Sequence, residues 1–179
     1  MSMISVSAAC ARREAADGCA GCGARAFSVC RDVKGPDLER LNALAETVTL
    51  QPGDVLAREG DPARHLFNVT AGSLRVYKLL PDGRRQITGF LFAGDFLGLA
   101  GGEAFGFTAE AMESSSLCRF RRDAYRTLVR ETPDLEQALL TRTSHELAAA
   151  QNQMLLLGRK TAQERVASFL LDLPSHDPS

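Results

Sequence analysis

Ten of the chain's 15 glycines lie between Gly53 and Gly106, and they cut that stretch into pieces too short for a long helix. The pieces are rich in Val, Ile, Phe and Thr: "TVTL", "HLFNVT", "SLRVYKLL", "RQITGFLF" and "SSLCRF". In "SLRVY", Leu74 and Val76 alternate with Ser73, Arg75 and Tyr77, the period of a strand with one buried face. "PDG" at 81–83 joins two such runs as a hairpin turn would, and "QPGD" and "EGDP" are further turn signals. Closely spaced strands over residues 47–121 predict a small all-β barrel or sandwich.

The chain's 179 residues suffice for one domain and a short second element. A hydrophobic share of 45% with 24% charged residues is that of an ordinary globular protein. The net charge of −1 gives no global attraction to nucleic acid or membrane, so a basic partner surface would have to be local. No apolar run approaches a membrane span, and residues 1–18 lack the basic start and apolar core of a secretion signal. A cytoplasmic, reducing compartment is expected. There, clustered thiols serve metals or catalysis more often than disulfides, and five cysteines suit a disulfide framework poorly.

Helical periods flank the β region. "DLERLNALAE" (37–46) spaces Leu38, Leu41 and Leu44 as a short amphipathic helix, with Asp37 as its cap. "DAYRTLVRETP" predicts a short helix stopped at Pro133. From Leu135 to Leu157 a long helix is predicted, with Leu140, Thr143, Leu147, Ala150, Met154 and Leu157 at the a and d positions of a heptad. Gly158 closes this helix as a C′ residue. Leu135, Leu139 and Leu156 lie off the seam and can pack elsewhere. The seam predicts a parallel homodimer through 135–157, and its weak contacts at Thr143 and Ala150 make that dimer marginal, as a switch requires. "TAQE" (161–164) predicts a capping box opening a last helix, "ERVASFLL", before Pro174.

Residues 1–35 are poor in large apolar side chains and cannot make a core alone; a bound metal would order them. Within them, "GCAGCGARAFSVC" (18–30) holds Cys19, Cys22 and Cys30. A C-x2-C loop points two thiolates at one centre, and zinc and iron–sulfur sites both use it. A zinc finger of the usual form needs a second pair, whereas His65, His145 and His176 are scattered. Three clustered cysteines plus a distant fourth favour an iron–sulfur centre over zinc. Spacing leaves the fourth ligand open between Cys10 and Cys118. On pattern alone Cys118, on the same face of "SSLCRF" as Phe120, is a buried core thiol.

Four stretches then converge. "C-x2-C-x7-C" at Cys19, Cys22 and Cys30, "RRQITGFLFAGDFLGL" (84–99), "ESSSLCRF" (113–120) and "QMLLLGRKTAQERVASFLLDL" (153–173) resemble the CRP/FNR superfamily of bacterial transcription regulators, and within it the FNR-type oxygen sensors. The resemblance covers roughly residues 19–173. It implies a mainly β fold with α: a cyclic-nucleotide-binding-like β-roll (a double-stranded β-helix or jelly roll) followed by a long dimerisation helix. It divides the chain into a cluster-binding arm (1–35), a β-roll sensor domain (36–132), the dimerisation helix (133–158) and the start of a DNA-binding region (159–179). It also implies a [4Fe–4S] cluster on Cys19, Cys22, Cys30 and Cys118, leaving Cys10 spare. Oxygen would convert that cluster and so separate the active dimer. DNA and RNA polymerase are the partners it implies.

Two features depart from the superfamily's patterns. Its cyclic-nucleotide sensors resemble F-G-E-L followed by R-S/T-A. Here Phe107 directly precedes Thr108 and Ala109, and no Arg or Lys occurs from 86 to 118, so no cyclic nucleotide is expected. The DNA-reading helix-turn-helix should follow residue 173, yet the sequence stops at Ser179. The chain is therefore expected to lack the reader, which leaves room for a stand-alone sensor that heterodimerises with full-length relatives. A zinc-bound interaction module is the other alternative. No enzyme is expected, because three scattered histidines supply no cupin-type metal site and no nucleophile is paired with a base.

Overall fold

The computed structural model describes residues 5–7, 18–99 and 102–159, with isolated positions between 163 and 170. Nine strands form two antiparallel sheets. In chain order they are β1 (Ser5–Ser7), β2 (Glu46–Leu50), β3 (Val55–Ala57), β4 (His65–Ala71), β5 (Leu74–Leu79), β6 (Arg85–Leu91), β7 (Phe96–Leu97), β8 (Thr108–Ala111) and β9 (Ser115–Arg121). One sheet has the order β1-β2-β9-β4-β7 and the other β3-β8-β5-β6. The helices are α1 (Gly35–Leu44), α2 (Arg122–Glu131) and α3 (Pro133–Arg159), and a 3-10 turn spans Gly23–Phe27. This is the β-roll with a following long helix that the sequence predicts.

Two cores hold it together. Between the sheets lie Val48, Leu50, Val69, Leu74, Leu97, Phe105 and Leu117, with Leu91 and Phe107 packed against them. The outer face of the five-stranded sheet carries the second core. There Val29 and Val33 of the arm meet Leu41 of α1, Phe96 and Phe120 of the sheet, Tyr125 and Leu128 of α2, and Leu135 of α3. Leu41 and Leu135 are 0% exposed and Phe120 1%, so each contributes about 2 kcal/mol of burial. The arm therefore does not stand alone; it is one wall of this second core.

The predicted hairpin forms at residues 80–84. Gly83, at φ +82°, donates its N–H to the Leu80 carbonyl at 2.9 Å. Other boundaries shift. Asp37 is not the cap of α1: Lys34 takes that position, and Pro36 sits in the first turn, where a missing N–H costs nothing. Pro133 opens α3 for the same reason, so that helix starts two residues before Leu135. Gly158 does not stop it, since α3 runs on to Arg159. Strand β8 is "TAEA", buried at all four positions, so it shows neither alternation nor strand-forming composition. The cap predicted at Thr161 and the thiol of Cys10 lie outside the described residues.

Candidate functional site

The cysteine loop is tied down by Asn42 of α1 and by polar side chains of its own, Arg25 and Ser28. Gly18 has φ +42°, and a Cβ there would lie 2.8 Å from Asn42 Oδ1 of α1. The next N–H, that of Cys19, donates to the same oxygen at 3.2 Å. Cys22 precedes the 3-10 turn and accepts the Arg25 N–H on its carbonyl at 3.0 Å. The Arg25 guanidinium then donates to the carbonyls of Cys30 at 3.2 Å and Val33 at 2.7 Å, closing residues 22–33 into a loop. Ser28 Oγ accepts the Cys30 N–H at 3.2 Å.

Cys30 is buried in the second core, and Cys22 and Cys19 are half-buried. Strand alternation sets Cys118 on the same side: Leu117 turns into the core between the sheets, whereas Cys118 packs against the core that contains Cys30. On the sheet Cys118 faces Thr47 of β2 and Asn68 of β4. Burial pushes the Cys30 thiol up from its ordinary 9.0; the Ser28 hydrogen bond opposes this, the charge of Cys22 adds to it, and Arg25 opposes it. Among the described residues, no three His, Cys, Asp or Glu side chains converge closely enough to hold a metal ion as placed. The cysteines share a corner rather than a point.

That corner suits a thiolate-bound centre in two respects. Its donors are soft sulfurs, the ligands that iron–sulfur centres take. In the buried cluster that contains Cys30, the Tyr125 hydroxyl has no hydrogen-bond partner among the described residues. Neither Asn42 nor Tyr125 carries a sequence signal for this place, and each reaches it only through folding, whereas Arg25 lies within the loop itself.

From the corner a short path leads to α3. Gly94, at φ +97°, sits where a Cβ would come within 2.7 Å of Phe27 Cβ and 2.9 Å of the Phe27 carbonyl oxygen. The neighbouring Asp95 accepts the Phe92 N–H at 2.9 Å and also the Arg142 guanidinium of α3. A cavity of about 730 Å³ separates the arm from α3, lined in part by Phe27, Ser28, Asp95, Ala138, Arg142 and His145. On α3 itself, Leu135 is buried and Ala138 and Leu139 pack on the second core. Leu140 and Leu147 are 61% and 60% exposed, and Thr143 and Ala150 are exposed beside them. Met154 and Leu157 continue along the helix, with side chains outside the described set.

Residues 47–132 match the family model described as "cyclic nucleotide-binding domain". The solved structure of FixK2 from Bradyrhizobium japonicum is 38% identical, with a TM-score of 0.67 over 72% of this chain and 65% of that one. The transcriptional activatory protein AadR of Rhodopseudomonas palustris is 38% identical over 150 residues, 84% of this chain and 63% of its own. Electron transport regulator A of Shewanella oneidensis is 31% identical over 169 residues, 90% of this chain and 68% of its own. The chain belongs to the CRP/FNR family. Within that family it spans slightly less than two thirds of the length of AadR. The matched residues 47–132 of this CRP/FNR chain take in β2 to β9 and α2, the scaffold on which Cys118 and Tyr125 are mounted.

Proposed function

We propose that the chain is the sensing and dimerising part of a transcription regulator, controlled by a [4Fe–4S] cluster on Cys19, Cys22, Cys30 and Cys118. The observation that carries this is the packing of Cys30 of the arm and Cys118 of β9 on one core, although 88 residues of sequence separate them. The names of relatives such as AadR and the activator FnrL of Cereibacter sphaeroides support the regulatory half of the reading. When bound, the cluster supplies an oxygen-reactive centre held by thiolate bonds.

The chain's own residues do the rest. Asn42 and Arg25 hold the loop in the shape that presents its thiols. Ligation by Cys118 ties that loop to β9, so the seating of Phe27 on Gly94 follows the state of the thiols. Asp95 passes that seating to Arg142 and so to the orientation of α3. The seam of Leu140, Thr143, Leu147, Ala150, Met154 and Leu157 then pairs two copies. Because the seam is short, a bias of a few kcal/mol moves its equilibrium. A dimer that binds DNA and meets RNA polymerase is the output of this reading.

Anaerobic purification tests it. About four iron and four sulfide per chain are expected, with a brown absorbance that fades in air. Cys118→Ser should abolish loading, whereas Cys10→Ser should leave it intact. Protein that holds zinc alone, or no metal under reconstitution, sinks the reading.

A further inference from the structure

We infer that the cavity between the arm and α3 binds a small zwitterion with an apolar side chain, of the class of the free aromatic α-amino acids. This goes beyond the cluster reading and does not depend on it. The cavity measures about 730 Å³, a size that takes a small molecule. Phe27 lines it and is 53% exposed. The backbone of Phe27 lies so close to Gly94 that a Cβ there would meet its carbonyl oxygen at 2.9 Å. The aromatic residue is thus seated through its backbone while its ring stays open to the cavity. Asp134, Ala138, Thr141 and His145 line the opposite wall at b and f positions of the heptad, whereas Leu140, Thr143 and Leu147 hold a and d. A second helix on that stripe would leave the cavity open.

The charges around the cavity select the ligand. Two pairs are internal: Arg142 with Asp95, and Arg31 with Asp32 at 3.7 Å. Lys34, Asp134 and His145 also line the cavity, and among the described residues their side chains make no salt bridge or hydrogen bond. Charge of both signs is therefore left to face a ligand. An anion alone would be drawn to Lys34 and repelled by Asp134, and a cation alone the reverse. A zwitterion suits both: its carboxylate goes to Lys34, its ammonium to Asp134, and its apolar side chain packs on Phe27. The chain beneath each charge is anchored. Val33, beside Lys34, and Leu135, beside Asp134, are both 0% exposed, and the Arg25 guanidinium holds the Val33 carbonyl at 2.7 Å. Groups on a backbone already fixed lose little freedom on binding. Both charged side chains are exposed, so each contact adds a modest factor to the affinity.

Isothermal titration of the full chain with L-phenylalanine tests this. The comparators are 3-phenylpropanoate, which lacks the ammonium, and 2-phenylethylamine, which lacks the carboxylate. L-Phenylalanine should bind to saturation, and each comparator about fivefold more weakly. Asp134→Asn should weaken L-phenylalanine about fivefold and leave 3-phenylpropanoate no weaker, because that probe has no ammonium to lose. Phe27→Ala keeps the Cβ seated near Gly94 and should weaken every probe about tenfold. Both replaced residues are exposed, so the variants should unfold at the same urea concentration as wild type. Failure of L-phenylalanine to saturate the wild type overturns the inference. So does equal affinity for the three probes, or an Asp134→Asn variant that binds L-phenylalanine as tightly as wild type. None of these readings requires a cluster, so they stand apart from the iron and sulfide content of the protein.

Discussion

Glu110, on β8, is 6% exposed, and three donors meet on its carboxylate: Tyr77 Oη at 3.0 Å, Arg85 Nη1 at 3.2 Å and the Arg75 guanidinium. Burial opposes its ionised form, yet the hydrogen bonds from Arg75 and Tyr77 and the two positive charges outweigh burial and hold it below its ordinary 4.5. A depressed carboxyl stabilises the fold above the unfolded value, and that stability is lost as pH falls through the lower folded value. The arginine side chains are 36% and 53% exposed, so solvent screening trims the ion pairs. Glu110→Gln is therefore expected to cost about 2 kcal/mol at neutral pH. Below about pH 4.5 the penalty should shrink, since the wild-type carboxyl also becomes neutral. Urea unfolding at neutral and acid pH checks both. Nothing in "TAEA" marks this glutamate, because its three donors come from β5, which pairs with β8, and from β6, the strand beyond it.

At the level of the element, α3 divides its faces between two duties. Leu135 is fully buried and anchors the helix to the second core, while Leu140 and Leu147 face away from it. Replacing both exposed leucines by Glu should remove the dimer proposed above in sedimentation velocity and leave the far-ultraviolet circular dichroism unchanged. Neither residue contributes to the protein's own core, so stability should move by less than about 0.5 kcal/mol. The heptad spacing made the exposed stripe of Leu140, Thr143, Leu147 and Ala150 legible in the sequence, as did the off-stripe positions of Leu135 and Leu139. The ends of the helix were harder to place. Proline can stop one helix or start the next, and only the turn geometry at Thr132–Pro133 decides which.

For the whole molecule, the question is how a loop of thiols reaches a helix. The Gly94–Asp95 turn is the junction, with Phe27 pressed on one residue and Arg142 bonded to the other. Arg142→Ala cuts this link without disturbing the turn, because Asp95 still accepts the Phe92 N–H. With its side chain 30% exposed, Arg142 contributes about 1 kcal/mol to fixing α3. Under the proposed cluster reading, the variant should load a cluster normally, while the difference in dimer dissociation constant between loaded and metal-free protein shrinks about fivefold. Sedimentation of both forms measures that difference. An undiminished response would show that the arm acts on α3 by another route.

The sequence by itself determined a small domain of closely spaced strands, because glycine turns and two-residue alternation are local signals that need no partner. It also grouped Cys19, Cys22 and Cys30 within thirteen residues, because C-x2-C is a short-range arrangement, and left the fourth thiol open between Cys10 and Cys118. Tertiary structure decided the surroundings of those thiols. Asn42 meets Gly18, Tyr125 joins the buried cluster that holds Cys30, and Asp95 bonds Arg142, each pair brought together across long stretches of chain. Such contacts arise when the arm, α1, α2 and α3 bury their apolar faces on one side of a sheet. The burial is non-directional and leaves no mark at the polar residues it carries along.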